Sequence, residues 1–389
     1  MQLDSLRVLD LTRLLPGPYA TQLLADAGAE ILKIEDTGAG DYARALPPYT
    51  DAGTGAVFDA VNRGKKGIAL DLKTDQGREV LFRLVEDADV LIESFRPGVV
   101  DRLGISYEAV TEHNEDIVYC SLSGYGQTGP LSDRVGHDLN YIGRAGLLDL
   151  TRADEDAKPQ MPGYQIADLA GGLFAAFSIL GGLLSREFGH GGEYVDVAMT
   201  DVVLSFSQVD FQAALREENP RPGETPLTGG HPWYDVYKTA DERYVTFAGL
   251  EPKFFQAFCE AVDREDLVSE HGTTDEARIE ALREELTAIF QSRTRDEWSA
   301  FLEGTEASVE PVLTLAEALG SEHVDAREML WDDRRPRLGF PAMGSDPPTD
   351  SGRDVPAQGE HTAVILSDYG YDGAEIDRLA EEGVILRAD

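Results

Sequence analysis

Short β-branched and leucine-rich runs alternate with helically spaced segments through the first third of the chain. LRVLDL reads as a strand, PGPYATQLLADAGA as a helix entered through a Pro-Gly turn, and EILKIED as a second strand. KKGIALDL, the helical TDQGREVLFRLVEDA, DVLIESF and DIVYCSLSGYG repeat the alternation. Strands joined by helical crossovers predict an α/β fold with a mostly parallel sheet. Such sheets hold ligands where strands end, here at the loops TRLLPGP, IEDTGAGDYAR, ESFRPGVVDRLG and LSGYGQTGP. No G-x-G-x-x-G follows the first strand, so a dinucleotide-dependent dehydrogenase lacks its usual support.

Further on, IADLAGGLFAAFSILGGLL approaches the length of a membrane span. Asp168 near its start and its many glycines predict a buried helix instead, and no membrane partner is expected. GGEYVDVAMTDVVLSFSQVDFQAAL reads as a strand leading into a helix, and REENPRPGETPLTGGHPW as a linker. A second domain is expected from about His231, opening with the hairpin WYDVYKTADERYVTFAGL and continuing as helices to about residue 326. The segment beyond is turn-rich and ends in the amphipathic helix AEIDRLAEEGVI.

Composition sharpens this picture. Among 389 residues, 42% are hydrophobic, enough for more than one core. Asp and Glu total 72 against 34 Lys and Arg, a net charge of -38. The acidic residues punctuate well-patterned segments, so the reading is a carboxylate-coated folded surface of the salt-adapted kind, whose self-repulsion concentrated salt screens. No basic stripe is available for nucleic acid. Cys120 and Cys259 have neither metal-ligand spacing nor the pattern of a disulfide framework. The opening MQLDSLRVLDLTRLL has no basic region before an apolar core, which predicts a cytoplasmic protein.

Four ionisable residues stand out by context. His137 and Asp138 follow Gly136 in RVGHDLNYIG; Asp168 opens the long apolar helix; Glu251 precedes Pro252 at a helix start. The bland explanations are structural: Asp168 and Glu251 are at positions that cap helices, and an isolated histidine is commonly a satisfied core or surface residue. Burial raises the pKa of a carboxyl such as Asp168, whereas a helix N-terminus lowers it; the two effects oppose.

GHDLNY, followed by ADLAGG and then LEP after a hairpin, resembles the α-methylacyl-CoA racemases of the family III CoA-transferase superfamily. LLPGPYATQLLADAGAEILKIE, NRGKKGIALDLKTDQGRE, ADVLIESFRPGVVDRLG, YCSLSGYGQTGP and EPVLTLAEAL extend the resemblance over most of the chain. It implies a Rossmann-like large domain formed by both chain ends (1–185 and 327–389), a linker helix and loop (186–230) and a smaller α+β domain (231–326). It also implies a homodimer of interlocked rings. The implied chemistry is racemisation at C2 of a 2-methylacyl-CoA: His137 and Asp168 are the acid/base pair, Glu251 bonds His137, and the N–H of Asp138 receives the thioester oxygen. Gly136 would let the backbone turn closely around the acyl group. Coenzyme A is carried in as part of the substrate, with no separate cofactor and no metal. Its expected contacts are Leu70, Asp71, Leu72, Lys73, Arg96, Gly136, Asn140 and Tyr141, with Lys65 and Lys66 either assisting or forming a solvated turn. One departure is Asp36, where the racemases place an arginine. The alternative within the superfamily is CoA transfer between carboxylic acids, with Asp168 as nucleophile.

Overall fold

The computed structural model describes residues 2–216, 218, 221–331, 336–342 and 354–387. Two compact units emerge, one from residues 1–147, 162–207 and 329–389, the other from 148–161 and 208–328. The segment 148–161 therefore groups with the second unit, although the sequence reading kept it with the first. Asp149 shows why: its carboxylate is an ion-pair partner of Arg221. Residues 343–353 of the expected turn-rich tail lie outside the described residues.

Unit 1 is built on a seven-stranded sheet. In chain order its strands are β1 (Arg7–Leu11), β2 (Glu30–Glu35), β3 (Lys66–Leu70), β4 (Val90–Glu93), β5 (Val118–Ser123) and β6 (Glu193–Ala198), completed by a short C-terminal strand, Ile385–Leu386. The spatial order runs from the C-terminal strand through β3, β2, β1, β4 and β5 to β6. β1 through β6 pair in parallel, and only the C-terminal strand is antiparallel, against β3. β1 has β2 on one side and β4 on the other, the switch point at which doubly wound sheets open a crevice beyond the strand ends. β6 sits in the stretch expected as linker. It belongs to the sheet because Glu193–Ala198 registers along the whole of β5.

Nearly every residue of β1, β4 and β5 is buried, because helices cover both sheet faces. On one face Leu81, Leu84 and Val85 of helix Asp75–Val85 meet Ile365, Leu366, Ile376 and Leu379 from the C-terminal segment. Helix Thr362–Asp368 is an element that the turn-rich composition of this segment concealed. Helix Ile166–Ser185 runs close beside helix Pro16–Asp26. Its glycines allow that approach: a Cβ on Gly172 would come within 2.4 Å of the Pro16 carbonyl oxygen, and one on Gly171 within 2.5 Å of Met199. Extended to His190, this helix is long and apolar enough to cross a membrane, yet half of its most apolar 18-residue stretch is buried in the protein. Its outer face leaves Leu173, Phe177, Leu180 and Leu184 exposed at helical spacing.

Unit 2 has its own core, in which Phe247, Phe255, Phe258, Phe290 and Trp298 are fully or almost fully buried. The expected hairpin is present as β7 (Tyr234–Lys238) and β8 (Tyr244–Ala248). A third strand, β9 (Val309–Pro311), joins it. Three residues ending in proline give no alternating signature, and proline tolerates only such an edge position. In the first unit, β10 (Leu330–Trp331) and β11 (Arg337–Leu338) form a two-stranded ribbon, and the C-terminal strand is β12.

Candidate active site

A cavity of about 640 Å³ opens in unit 1 at the ends of β1, β4 and β5. Loops following these strands supply Arg13, Leu14, Ser94, Phe95, Arg96 and Gly124, and His137 and Asp168 enter from two helix N-termini. Gly136, Asn140 and Tyr141 line the same cavity, so six of the residues singled out by sequence are brought together here.

His137 is the N-cap residue of helix Asp138–Arg144, extended at φ -132° and ψ 175°. Its N–H donates to Asn140 Oδ1 at 3.1 Å, and its carbonyl accepts the Asn140 N–H at 2.8 Å. This reciprocal clasp explains an asparagine three residues on: it holds the turn that exposes the imidazole. Asp138 is the first helical residue, whose N–H has no intrahelical acceptor. Gly136 also has a packing role. A Cβ there would stand 2.7 Å from a ring carbon of Tyr141, whose hydroxyl donates to the Gly136 carbonyl at 2.6 Å. Glycine makes room for that ring.

Asp168 lies in the first turn of helix Ile166–Ser185 without capping it. The cap comes from Asp138, whose Oδ1 accepts the N–H of Ala167 at 2.6 Å and that of Asp168 at 3.3 Å. The positive helix terminus is thus answered by Asp138. Asp168 experiences burial, and secondly the Asp138 charge, which together push its carboxyl up to about 7. The competition left open by the sequence is won by burial. Tyr141 is likewise pushed up to about 12, first by burial and then by Asp168.

Leu70, Asp71, Leu72 and Lys73 line a second cavity of about 290 Å³, which has Arg13 and Phe95 in common with the first. Asp36 also lines it. Its Oδ1 accepts the N–H groups of Gly38 at 2.8 Å and Gly40 at 3.2 Å, so the residue that departs from the racemase pattern organises a turn. Neither neighbouring lysine is a free phosphate contact. Lys65 is wholly buried, bonding Asp10 at 3.1 Å and Asn62 at 2.9 Å, while Lys66 pairs with Glu30. Burial pushes Lys65 down to about 8, and Asp10 opposes that shift.

Below the cavities lies a buried charge network that sequence reading missed. Asp10, Lys33, Asp41 and Lys65 are all essentially inaccessible to solvent. Lys33 Nζ lies 3.1 Å from Asp41 and 4.0 Å from Asp10. Burial pushes the Asp10 carboxyl up, but Lys33 and Lys65 hold it well below the usual carboxylate range. The lysine inside the apolar run EILKIE was the available signal, since an unpaired ammonium cannot be buried there.

Glu251 belongs to unit 2. It is the N-cap residue of helix Pro252–Ala261 and makes no side-chain bond to that helix, so a capping role does not account for it. The resemblance pairs it with His137, a residue of unit 1.

The model of CoA-transferase family III matches residues 3–362. A mouse (Mus musculus) α-methylacyl-CoA racemase is 33% identical over 395 residues, 99% of this chain and 98% of that protein. The succinyl-CoA:mesaconate CoA-transferase of Haloarcula marismortui is also 33% identical, over 95% of this chain and 97% of that protein. Among solved structures, a CAIB/BAIF family protein from Brucella suis superposes with a TM-score of 0.81 at 31% identity, covering 94% of this chain and 99% of that one.

Proposed function

We propose, for a chain that belongs to CoA-transferase family III, that it interconverts the C2 epimers of 2-methylacyl-CoA thioesters. In one direction the His137 imidazole takes the α-proton and the electron pair passes to the thioester oxygen. The enolate so formed is met by the N–H of Asp138, and the Asp168 carboxylic acid returns a proton to the opposite face. In the other direction the two groups exchange roles. Such a reaction needs one partner protonated while the other is not. An ordinary aspartate is fully ionised near neutral pH. The observation that carries the reading is Asp168, raised to about 7 in the cavity that His137 also lines. It can be proton donor and proton acceptor within the same pH range.

CoA transfer is the second reading, favoured by the 33% identity to a succinyl-CoA:mesaconate CoA-transferase. There the Asp168 carboxylate attacks the thioester carbonyl, the C–S bond breaks and CoA thiolate leaves a mixed anhydride. The thiolate then attacks the aspartyl carbonyl, releasing the acyl group as a carboxylate and leaving an enzyme-CoA thioester. Incubation of a single 2-methylacyl-CoA epimer in D2O separates the two. Racemisation predicts α-deuterium and the opposite epimer without any added acid. No exchange, together with CoA transfer once a carboxylic acid is supplied, would overturn it.

The working form we propose is a homodimer. The exposed stripe Leu173, Phe177, Leu180 and Leu184 supports this, being an apolar helix face left open to solvent in the single chain. Light scattering of the purified protein tests it, with monomer mass as the refuting result.

A further inference from the structure

We propose that Arg13 grips the diphosphate of the coenzyme A thioester where the ligand passes from one cavity to the other. The assignment rests on the acyl-CoA reading above and adds to it the residue that replaces an arginine at Asp36. Arg13 and Phe95 are the two residues common to both cavities. A thioester placed between His137 and Asp168 leaves its pantetheine arm and nucleotide to extend toward Leu70–Lys73. The diphosphate joins those two parts, so it passes the residues shared by the cavities.

Charge points the same way. Carboxylates outnumber cationic side chains 72 to 34 in this chain. Even so, Arg13, Arg96 and Arg134 line the main cavity, and none makes an ion pair with a carboxylate among the described residues. Guanidinium groups left without a carboxylate in so acidic a protein mark a place reserved for an anion from outside. Of these three, Arg13 alone reaches the second cavity.

Its presentation is built in. The guanidinium lies over the ring of Tyr42 at 4.9 Å and that of Phe95 at 5.8 Å, stacking that orients the planar group while leaving its N–H donors free. The backbone is fastened on both sides. Arg13 N–H donates to Ser94 Oγ at 3.3 Å, and Thr12 N–H to Asp10 Oδ1 at 2.9 Å. Leu14 adopts φ +67°, a left-handed conformation unusual for leucine. Its N–H is held by Asp41 Oδ1 at 3.0 Å, the carboxylate that Lys33 neutralises from below. Lys33 also donates to the Thr12 carbonyl. Buried charges are costly, and this set holds the one loop that carries Arg13 across the crevice, which reduces the ordering lost on binding.

The experiment compares wild type, R13A and R13K on an acyl-CoA and on the matching acyl-pantetheine, which lacks the diphosphate, with free CoA binding measured by calorimetry. For R13A the kcat/KM on acyl-CoA should fall about 10- to 100-fold further than on acyl-pantetheine, mostly through KM, and CoA affinity should fall alike. R13K keeps the charge without the fork and should recover part of the loss. Should R13A melt below the assay temperature, R13K alone must still lose more on acyl-CoA than on acyl-pantetheine. Equal losses on both substrates, or unaltered CoA affinity, would overturn the assignment. If wild type itself binds no CoA, the acyl-CoA reading falls and this one with it.

Discussion

Asp138 Oδ1 accepts the main-chain N–H of Asp168 at 3.3 Å, so one carboxylate caps the helix that carries the other. Asp138 thereby withholds from Asp168 the positive helix terminus that would have favoured its ionised form, and adds a negative charge that opposes ionisation.

Asp138→Asn retains an oxygen able to accept the Ala167 and Asp168 N–H groups but removes the charge. The Asp168 carboxyl should fall below its present value of about 7. The limb of the kcat/KM profile belonging to Asp168 should move to lower pH, with the helix cap intact. Asp138→Ala also loses the cap, at about 1 kcal/mol, and should be less stable than the asparagine variant. Profiles measured from pH 5 to 9 check this; identical limbs in wild type and Asp138→Asn would refute it.

Removing one member of the proton-transferring pair should stop epimerisation while sparing part of the exchange. In His137→Ala and in Asp168→Ala the interconversion rate should drop by roughly 10²- to 10⁴-fold. Residual deuterium uptake should be restricted to the epimer whose α-hydrogen faces the remaining group, and should proceed with retention. The two variants should therefore favour opposite epimers, which chiral analysis with mass spectrometry reads directly.

Asp168 makes stability depend on pH in a definite sense. Its folded pKa of about 7 exceeds the ordinary value of 3.8, so between these pH values the native protein binds more protons than the unfolded chain. The contribution of this residue to stability is greatest below about 4 and is lost as pH rises through about 7. Asp168→Asn removes that dependence. Its melting temperature should exceed that of wild type by more at pH 8 than at pH 4.5, and a constant difference would exclude the mechanism.

How much of this was legible beforehand follows from the range of each interaction. Strands β1 to β5 could be read because burial on both faces writes an apolar run into each of them, whereas the edge strand β6 buries only Val197 and Ala198. β9, β12 and helix Thr362–Asp368 could not, since elements so short owe their existence to partners distant in the chain. His137 and Asp168 were recognisable as neighbours only through resemblance, and the structure now places both on one cavity. Asp138 was expected to act through its N–H; that its side chain caps another helix depends on a contact across 29 residues. Arg13 escaped notice because no local pattern reveals whether an arginine has found a carboxylate.

Lys33→Met should expose the cost of the buried network. Without its ammonium, Asp41 is left as a buried carboxylate 3.1 Å from a missing partner, a loss of roughly 3–5 kcal/mol. Urea unfolding measures it. The same variant should weaken CoA binding, because the Thr12–Leu14 loop loses its anchor; a destabilised protein with unaltered CoA affinity would separate the network from the loop.

Unit 1 is assembled from three stretches of chain, and its edge strand β12 pairs with β3 more than 300 positions earlier, Ile385 opposite Leu70. During synthesis the last of these stretches appears only after residues 208–328 of the second unit have left the ribosome. Contacts closed over such distances form slowly. The second unit, with its aromatic core drawn mainly from one continuous segment, has what it needs to fold earlier. Between those two moments the growing chain carries an uncapped strand beside the Leu70–Lys73 loop, which makes the newborn protein most prone to misassembly at an edge of its own ligand pocket.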